Sequence, residues 1–131
     1  MKIVFDTNVL ISGFLTANGI SQYVFSIGIK RHTVICSEFI FGELEEKLAK
    51  KLAVPKEMIE QLVSFLRKRT IVLSVTKSRE IKFADEDDIP VLSLIEASKA
   101  NYFITGDRKL LAIKKLGPTL FLSPREAMEV L

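Results

Sequence analysis

Short, continuously apolar runs that alternate with longer segments of helical spacing restrict the fold of this sequence more than any other feature. The runs predict five strands, which are residues 3–5, 33–36, 70–75, 102–105 and 119–122. A strand without alternating polar residues is buried on both faces, as in the parallel sheets of α/β proteins. Because helical segments separate the strands, we predict an α/β fold, a three-layer α/β/α sandwich with a central parallel sheet of about five strands.

Short polar side chains and prolines precede the helical segments, where they can bind free backbone N–H groups or fit the first turn. The predicted N-terminal signals are Asn8 or Thr7, Ser37, Pro55, Asp107 and the capping box Ser123-Pro124-Arg125-Glu126. The sequence contains neither an internal repeat nor a linker. We therefore expect one domain over residues 1–131.

The composition is typical of a soluble globular protein. Of the 131 residues, 48% are hydrophobic and 27% are charged, and each apolar run is too short or too interrupted by charge to span a bilayer. Met1-Lys2 leads directly into the first strand rather than into a secretory segment. The single cysteine, Cys36, ends an apolar run and is expected to be a buried strand residue. We therefore expect a cytoplasmic protein without a membrane anchor.

The positive charge is concentrated in the middle of the chain. Between Lys47 and Lys82 there are ten Lys or Arg residues but only three acids. Such a segment attracts polyanions, nucleic acid above all, although a solvated helix face with i,i+4 ion pairs would look similar. Within it, the consecutive residues Arg67, Lys68 and Arg69 are candidates for RNA binding and also suit the C-terminus of a helix.

Acidic residues occur where the predicted sheet would bring distant parts of the chain together. Asp6 follows the first strand, Asp88 begins the helix before the fourth strand, and Asp107 follows the fourth strand. Right-handed crossovers put the carboxyl ends of parallel strands on one edge, where ligands bind. Three carboxylates can therefore meet there, and Glu43, in the helix after the second strand, could reach the same crevice.

A cluster of carboxylates favours metal-assisted chemistry. The acids repel one another unless a cation lies between them, and hard oxygen ligands suit Mg²⁺ or Mn²⁺. Two such ions can activate water and stabilise the leaving oxygen of a phosphodiester. We see no His, Ser or Cys arrangement suited to nucleophilic catalysis, and the lone His32 is expected to be a surface residue of a connector. Metal-assisted hydrolysis is therefore the predicted reaction class.

Four motifs occur in an order and spacing that resemble the PIN-domain ribonucleases. They are Asp6-Thr7-Asn8, Glu43-Leu44, the acidic run that ends in Asp88, and Thr105-Gly106-Asp107. The resemblance covers essentially the whole chain. It is strongest to the prokaryotic VapC-like group, which comprises the toxin components of toxin–antitoxin pairs.

The resemblance implies both a site and a function. It implies that Asp6, Glu43, Asp88 and Asp107 are the catalytic, metal-binding acids. Asn8 and Thr105 would bind the carboxylates or the attacking water through hydrogen bonds and so orient them. The substrate would be single-stranded RNA, the cofactor Mg²⁺ or Mn²⁺, and the partners a small antitoxin protein and a second copy of the chain in a homodimer.

Other interpretations of the same residues remain open. Asp107 could be only a helix cap, Glu43 could form an exposed i,i+4 pair with Lys47, and Asp85 or Asp87 could replace Asp88 as the ligand. The fold could bind RNA without cutting it. A receiver-like regulatory domain is less compatible, since residues 70–76 contain no phospho-accepting Asp. A phosphoaspartate phosphatase would need a second Asp where Asn8 stands.

Overall fold

A six-stranded sheet forms the centre of the protein in the computed structural model, which describes residues 1–77, 81 and 85–131. The strand order is β3-β2-β1-β4-β6-β5, and every pairing is parallel except that of β5 with β6. The strands are β1 (Lys2–Phe5), β2 (Thr33–Ser37), β3 (Ile71–Leu73), β4 (Tyr102–Ile104), β5 (Lys115–Leu116) and β6 (Thr119–Leu122). The predicted α/β class with a largely parallel sheet is confirmed.

The short strand β5 extends the sheet beyond the five predicted strands. It has only two residues and pairs antiparallel with β6, with Lys115 opposite Leu120 and Leu116 opposite Thr119. The turn between them contains Gly117 at φ +58°, a left-handed conformation that glycine adopts without steric cost. A two-residue strand has too few side chains to produce an apolar run, so the pattern that predicts the other strands misses it.

Seven helices occur in the described residues, and they cover both faces of the sheet. They are α1 (Thr7–Leu15), α2 (Ile20–Arg31), α3 (Glu38–Glu46), α4 (Lys56–Arg69), α5 (Ile89–Ser98), α6 (Arg108–Leu111) and α7 (Pro124–Val130). A wider π turn, Lys47–Lys51, continues α3, and a 3₁₀ turn, Glu86–Asp88, leads into α5. The side chains of Ile3, Val4 and Phe5 in β1 point alternately to the two faces of the sheet, and all three are at most 1% exposed. Both faces of the sheet are therefore covered at β1.

Most of the predicted helix starts are confirmed. The side chain of Ser37 accepts a hydrogen bond from the backbone of Ile40, Asp107 caps α6, and Ser123 forms a complete capping box with Glu126. The prediction that Asn8 or Thr7 caps the first helix is wrong. Both lie inside its first turn, and the cap position belongs to Asp6, whose side chain makes no capping bond. The carboxylate of Asp6 is therefore not used to cap α1.

Close packing fixes β1 against α2. The rings of Phe5 and Phe25 meet edge to face with centroids 5.7 Å apart, and Gly28 approaches so closely that a Cβ there would lie 2.9 Å from Cζ of Phe5. These contacts fix the end of β1 that directly precedes Asp6.

Cys36 is buried as predicted, and burial raises the pKa of its thiol to about 12.

The connection order creates a crevice at the end of β1. The chain moves outward from β1 through β2 to β3, then returns to the other side of β1 to form β4. Phe5 is in register with Ile104, so the residues after both strands emerge side by side. In open α/β sheets ligands bind at the point where the strand order reverses.

Among the described residues, no helix is both long and apolar enough to cross a membrane.

Candidate active site

A cleft of about 740 Å³ opens at the carboxyl ends of the central strands. All four predicted acids line it, and so does the predicted orienting residue Asn8. The lining residues are Asp6, Asn8, Phe39, Glu43, Lys47, Val75, Lys77, Glu86, Asp87, Asp88, Pro90, Val91, Asp107 and Leu110. The structure therefore brings together residues from the junction of β1 and α1, from α3, from the turn before α5 and from the segment after β4.

Thr105 links the two acids that follow the central strands. It is fully buried, and its Oγ1 donates a hydrogen bond of 2.6 Å to Oδ2 of Asp6. The same oxygen accepts a hydrogen bond of 3.0 Å from the backbone N–H of Asp107. The backbone N–H of Asp6 donates to the carbonyl oxygen of Ile104 at 2.9 Å. One hydroxyl thus fixes the orientation of the Asp6 carboxylate and the position of the Asp107 backbone.

The environment of Asp6 disfavours its negative charge. Burial is the largest cause that raises the pKa of its carboxyl group, and the nearby carboxylate of Asp107 acts in the same direction. The hydrogen bond from Thr105 and the positive charge of Lys47 oppose that shift. A partly buried acid with another acid close by is the arrangement that a bound cation would relieve.

Glu43 is held in the cleft from two sides. Oγ1 of Thr7, a residue only 1% exposed, donates a hydrogen bond of 2.9 Å to Oε1 of Glu43. On the other side Nζ of Lys47 lies 4.0 Å from Oε2 of Glu43 and donates a hydrogen bond of 3.2 Å to Oδ1 of Asn8. The i,i+4 pair of Glu43 and Lys47 thus exists, but it lies at the cleft rather than on an open helix face.

The acidic run before α5 divides into two groups. Asp85 is mostly exposed and forms an ion pair of 2.8 Å with Lys109, which lowers the pKa of its carboxyl group. Glu86, Asp87 and Asp88 form the 3₁₀ turn and line the cleft. Burial and then the carboxylates of Asp107, Asp85 and Asp6 raise the pKa of Asp88.

Asp107 is both a helix cap and a cleft residue. Its Oδ1 accepts hydrogen bonds from the backbone N–H groups of Lys109 at 2.8 Å and Leu110 at 3.4 Å. Both capping bonds end on the same oxygen. The two interpretations of Asp107, as a cap and as a cleft acid, are therefore compatible.

The donor set fits a hydrated divalent cation. The acids face a common cleft, although within residues 1–77, 81 and 85–131 no three acids, histidines or cysteines already surround one point closely enough to hold an ion. Mg²⁺ keeps several of its waters and binds proteins through one or two carboxylates, so a closed cage is not required. The ligand atoms are hard oxygens, and a cation would relieve the repulsion between neighbouring carboxylates that helps to raise the pKa of Asp6 and of Asp88.

The basic cluster Arg67, Lys68 and Arg69 lies outside this cleft. Arg67 makes two hydrogen bonds to the carboxylate of Glu38, and its guanidinium lies 4.6 Å from the ring centroid of Phe41. Arg67 and Lys68 line a separate groove of about 1040 Å³ between the π turn and α4. Arg79 and Lys82, from the same basic stretch of the sequence, are outside the described residues.

Two residues that hold Glu43 in place, Thr7 beneath the cleft and Lys47 in its lining, are not among the predicted site residues. The sequence pattern predicts Thr7 as a possible helix cap and Lys47 as the partner of Glu43 in an exposed pair. The available signals were the position of Thr7 between Asp6 and Asn8 and the i,i+4 interval between Glu43 and Lys47. Neither signal indicates which side of the helix faces the sheet edge, and the contacts depend on that.

Comparisons with known proteins agree with this architecture. The family model described as PIN domain matches residues 2–109. An uncharacterized protein of Methanocaldococcus jannaschii, MJ1680, is 30% identical over 120 residues, which cover 87% of this chain and 76% of that protein. A chain in the crystal structure of VapBC2 from Rickettsia felis, bound to a DNA fragment from their promoter, has the same fold, with a TM-score of 0.68. It is 14% identical, and the match covers 94% of this chain and 98% of that chain.

Proposed function

This chain belongs to the PIN-domain family, and from that premise we propose that it is a divalent-metal-dependent ribonuclease that cleaves single-stranded RNA. The observation that carries the proposal is the shared cleft of Asp6, Glu43, Asp88 and Asp107, four acids from four separate segments of the chain. We further propose that it is the toxin component of a toxin–antitoxin pair.

The four acids would hold Mg²⁺ or Mn²⁺. The bound cation would supply Lewis-acid activation of water and stabilisation of the charge that develops on the phosphodiester. Thr105 orients the carboxylate of Asp6, and Thr7 orients that of Glu43. Such supporting hydrogen bonds keep ligand oxygens at fixed positions and reduce the motion needed when the substrate binds. The ammonium groups of Lys47 and Lys77 in the same cleft favour entry of a polyanion.

Proposed partners follow from the structural relative and from the resemblance. That relative was solved as VapBC2, and we propose for this chain a small antitoxin protein that blocks the cleft. We also propose a homodimer. Exposed apolar side chains on α1 and α2, namely Phe14, Leu15 and Tyr23, are compatible with a protein–protein contact. Light scattering of the purified chain, alone and with the product of a neighbouring gene, tests both partners.

Cleavage of a fluorescently labelled single-stranded RNA tests the enzymatic function. We expect cleavage with Mg²⁺ or Mn²⁺, its loss in excess chelator, and a loss of roughly two orders of magnitude or more in Asp6→Asn and Glu43→Gln. Glu45→Gln is the matched control, because Glu45 lies on the same helix but lines the separate groove. Equal cleavage in the presence of excess chelator would end the metal-dependent proposal.

The second candidate function is RNA binding without cleavage. The positive charge of the described cleft lysines and of the basic stretch favours it, whether or not catalysis follows. Fluorescence anisotropy with the same RNA distinguishes the two functions. Binding that is retained without any cleavage in Mg²⁺ or Mn²⁺ would support the binding function and contradict the ribonuclease.

A further inference from the structure

Lys47 occupies an unusual position for a lysine. Its side chain is only 27% exposed, whereas those of Lys50 and Lys56, which also form i,i+4 pairs with glutamates, are 76% and 86% exposed. Lysine loses considerable side-chain entropy when it is fixed, so a buried lysine needs compensating contacts. Lys47 has them in the cleft: the hydrogen bond of 3.2 Å to Asn8 and the ion pair of 4.0 Å with Glu43.

The backbone contributes to this placement. Lys47 is the first residue of the π turn that ends α3, and the backbone N–H of Lys47 still bonds to the carbonyl oxygens of Glu43 and Leu44. Glu43 and Lys47 are therefore on the same helix face, one turn apart, and that face is turned toward Asp6. Single π turns of this kind occur frequently at functional sites. The ammonium consequently lies in the cleft, near the carboxylate of Glu43, rather than in solvent.

We propose that Lys47 is a tethered counter-cation, which neutralises the Glu43 side of the acidic cleft in the metal-free protein and competes electrostatically with a divalent cation there. This inference rests on the proposed function, since it concerns the same cleft. It differs from the assignment of the acids, because Lys47 would not bind the metal ion but would weaken its binding by electrostatic repulsion. Asn8 is the residue that holds the ammonium in place through its side-chain oxygen.

The expected size of the competition follows from Coulomb's law. A cation held by Oε2 of Glu43, the oxygen that lies 4.0 Å from the ammonium, would be about 6 Å or less from Nζ of Lys47. A single and a double positive charge at about 6 Å repel by about 1.4 kcal/mol even at the dielectric constant of water, which is roughly tenfold in affinity. Removing the ammonium should therefore tighten metal binding measurably.

Titration of metal-free protein with Mn²⁺, followed by electron paramagnetic resonance of the free ion, measures this effect. We expect Lys47→Met, which keeps most of the apolar stem, to bind Mn²⁺ roughly tenfold more tightly than wild type. Lys50→Met is the control and should bind like wild type, because Lys50 is exposed and pairs with Glu46. Unchanged or weaker binding by Lys47→Met, with wild type still binding, would overturn the inference and leave the proposed function intact.

Metal-free stability is the second readout, and it is independent of catalysis. We expect Lys47→Met to lower the melting temperature of the metal-free protein by roughly 2–4 °C. In a protein that already contains Glu43→Gln, the same substitution should lower the melting temperature much less. Equal losses from Lys47→Met in the presence and absence of Glu43 would contradict the neutralising role. If neither wild type nor any variant binds Mn²⁺, the proposed function itself fails, and the competition proposed for Lys47 fails with it.

Discussion

Thr105 donates a hydrogen bond of 2.6 Å from its side chain to the carboxylate of Asp6, a residue 99 positions earlier in the chain. The bond joins the ends of β1 and β4 at the crevice. Because the same hydroxyl accepts from the backbone of Asp107, its loss would disturb two of the four candidate acids. Thr105 is therefore the residue whose substitution best tests whether orientation, rather than the mere presence of acids, matters for activity.

Thr105→Val should reduce RNA cleavage by roughly 10- to 100-fold, the range typical of residues that orient metal ligands. Valine has nearly the same shape as threonine but can neither donate to Asp6 nor accept from Asp107. The buried groups left without these bonds should also cost about 1–3 kcal/mol of stability. Steady-state kinetics and chemical denaturation measure the two effects. Thr105→Ser is the control and should retain both properties to a large extent.

Thr7→Val should weaken Mn²⁺ binding by releasing Glu43. The hydroxyl of Thr7 is the buried donor to Oε1 of Glu43, and without it the glutamate can rotate away from the cleft. We expect a loss of about 10-fold in affinity, measured by isothermal titration calorimetry. The same substitution made together with Glu43→Gln should add little. An equal loss with and without Glu43 would assign Thr7 to packing alone.

Asp88→Asn should stabilise the metal-free protein at neutral pH. Folding raises the pKa of Asp88 from its ordinary value of 3.8, by burial first and then by neighbouring acids, so the ionised group costs stability above that value. Below it the group is protonated in both the folded and the unfolded states, and the difference between variant and wild type should vanish. We expect a rise in melting temperature of roughly 1–3 °C at pH 7. Scanning calorimetry from pH 3 to pH 8 tests the trend, and saturating Mn²⁺ should reverse it.

Reversing the charges of Lys68 and Arg69 should weaken RNA binding and flatten its salt dependence. Each phosphate contact that is lost lowers the slope of log K against log salt by about 0.7 for a single strand. Arg67 is better left unchanged, since it binds Glu38 and packs over Phe41. Anisotropy titrations at several salt concentrations provide the slopes. An unchanged slope would mean that the cluster serves only the C-terminus of α4.

Gly28→Ala should destabilise the protein by about 1 kcal/mol even though alanine favours helices. The added methyl would lie 2.9 Å from the buried ring of Phe5. Gly42→Ala in α3 is the matched control, because nothing lies within 4 Å of the added atom. That substitution should stabilise by about 0.5–1 kcal/mol. Urea denaturation measures the free energy of unfolding of both variants. Stabilisation by Gly28→Ala would mean that α2 and β1 can move apart enough to accommodate the added methyl.

The strands and the end-of-strand acids were predictable because both depend on short-range patterns. A buried parallel strand appears as a continuous apolar run, and the carboxyl ends of such strands share an edge whatever the details of packing. This logic placed Asp6 and Asp107 correctly at the ends of β1 and β4. It misses β5, which is too short to produce a pattern.

The helical residues of the site were harder to predict because their direction depends on tertiary packing. Glu43 lies off the apolar stripe of its helix, and the sequence alone cannot indicate whether it faces the sheet edge or water. The contact of Thr7 with Glu43 spans 36 positions, so no local pattern indicates it. Asp85 and Asp88 are only three residues apart, but one faces Lys109 and the other the cleft.

The strand order has a consequence for protein synthesis. Asp6 emerges from the ribosome 99 residues before Thr105, which supplies its orienting hydroxyl, and also before its neighbouring strand β4. A nascent or prematurely terminated chain that lacks β4 contains Asp6 without the surroundings that give it a role. If the protein is a ribonuclease, no active molecule can therefore exist before β4 and Thr105 have been synthesised.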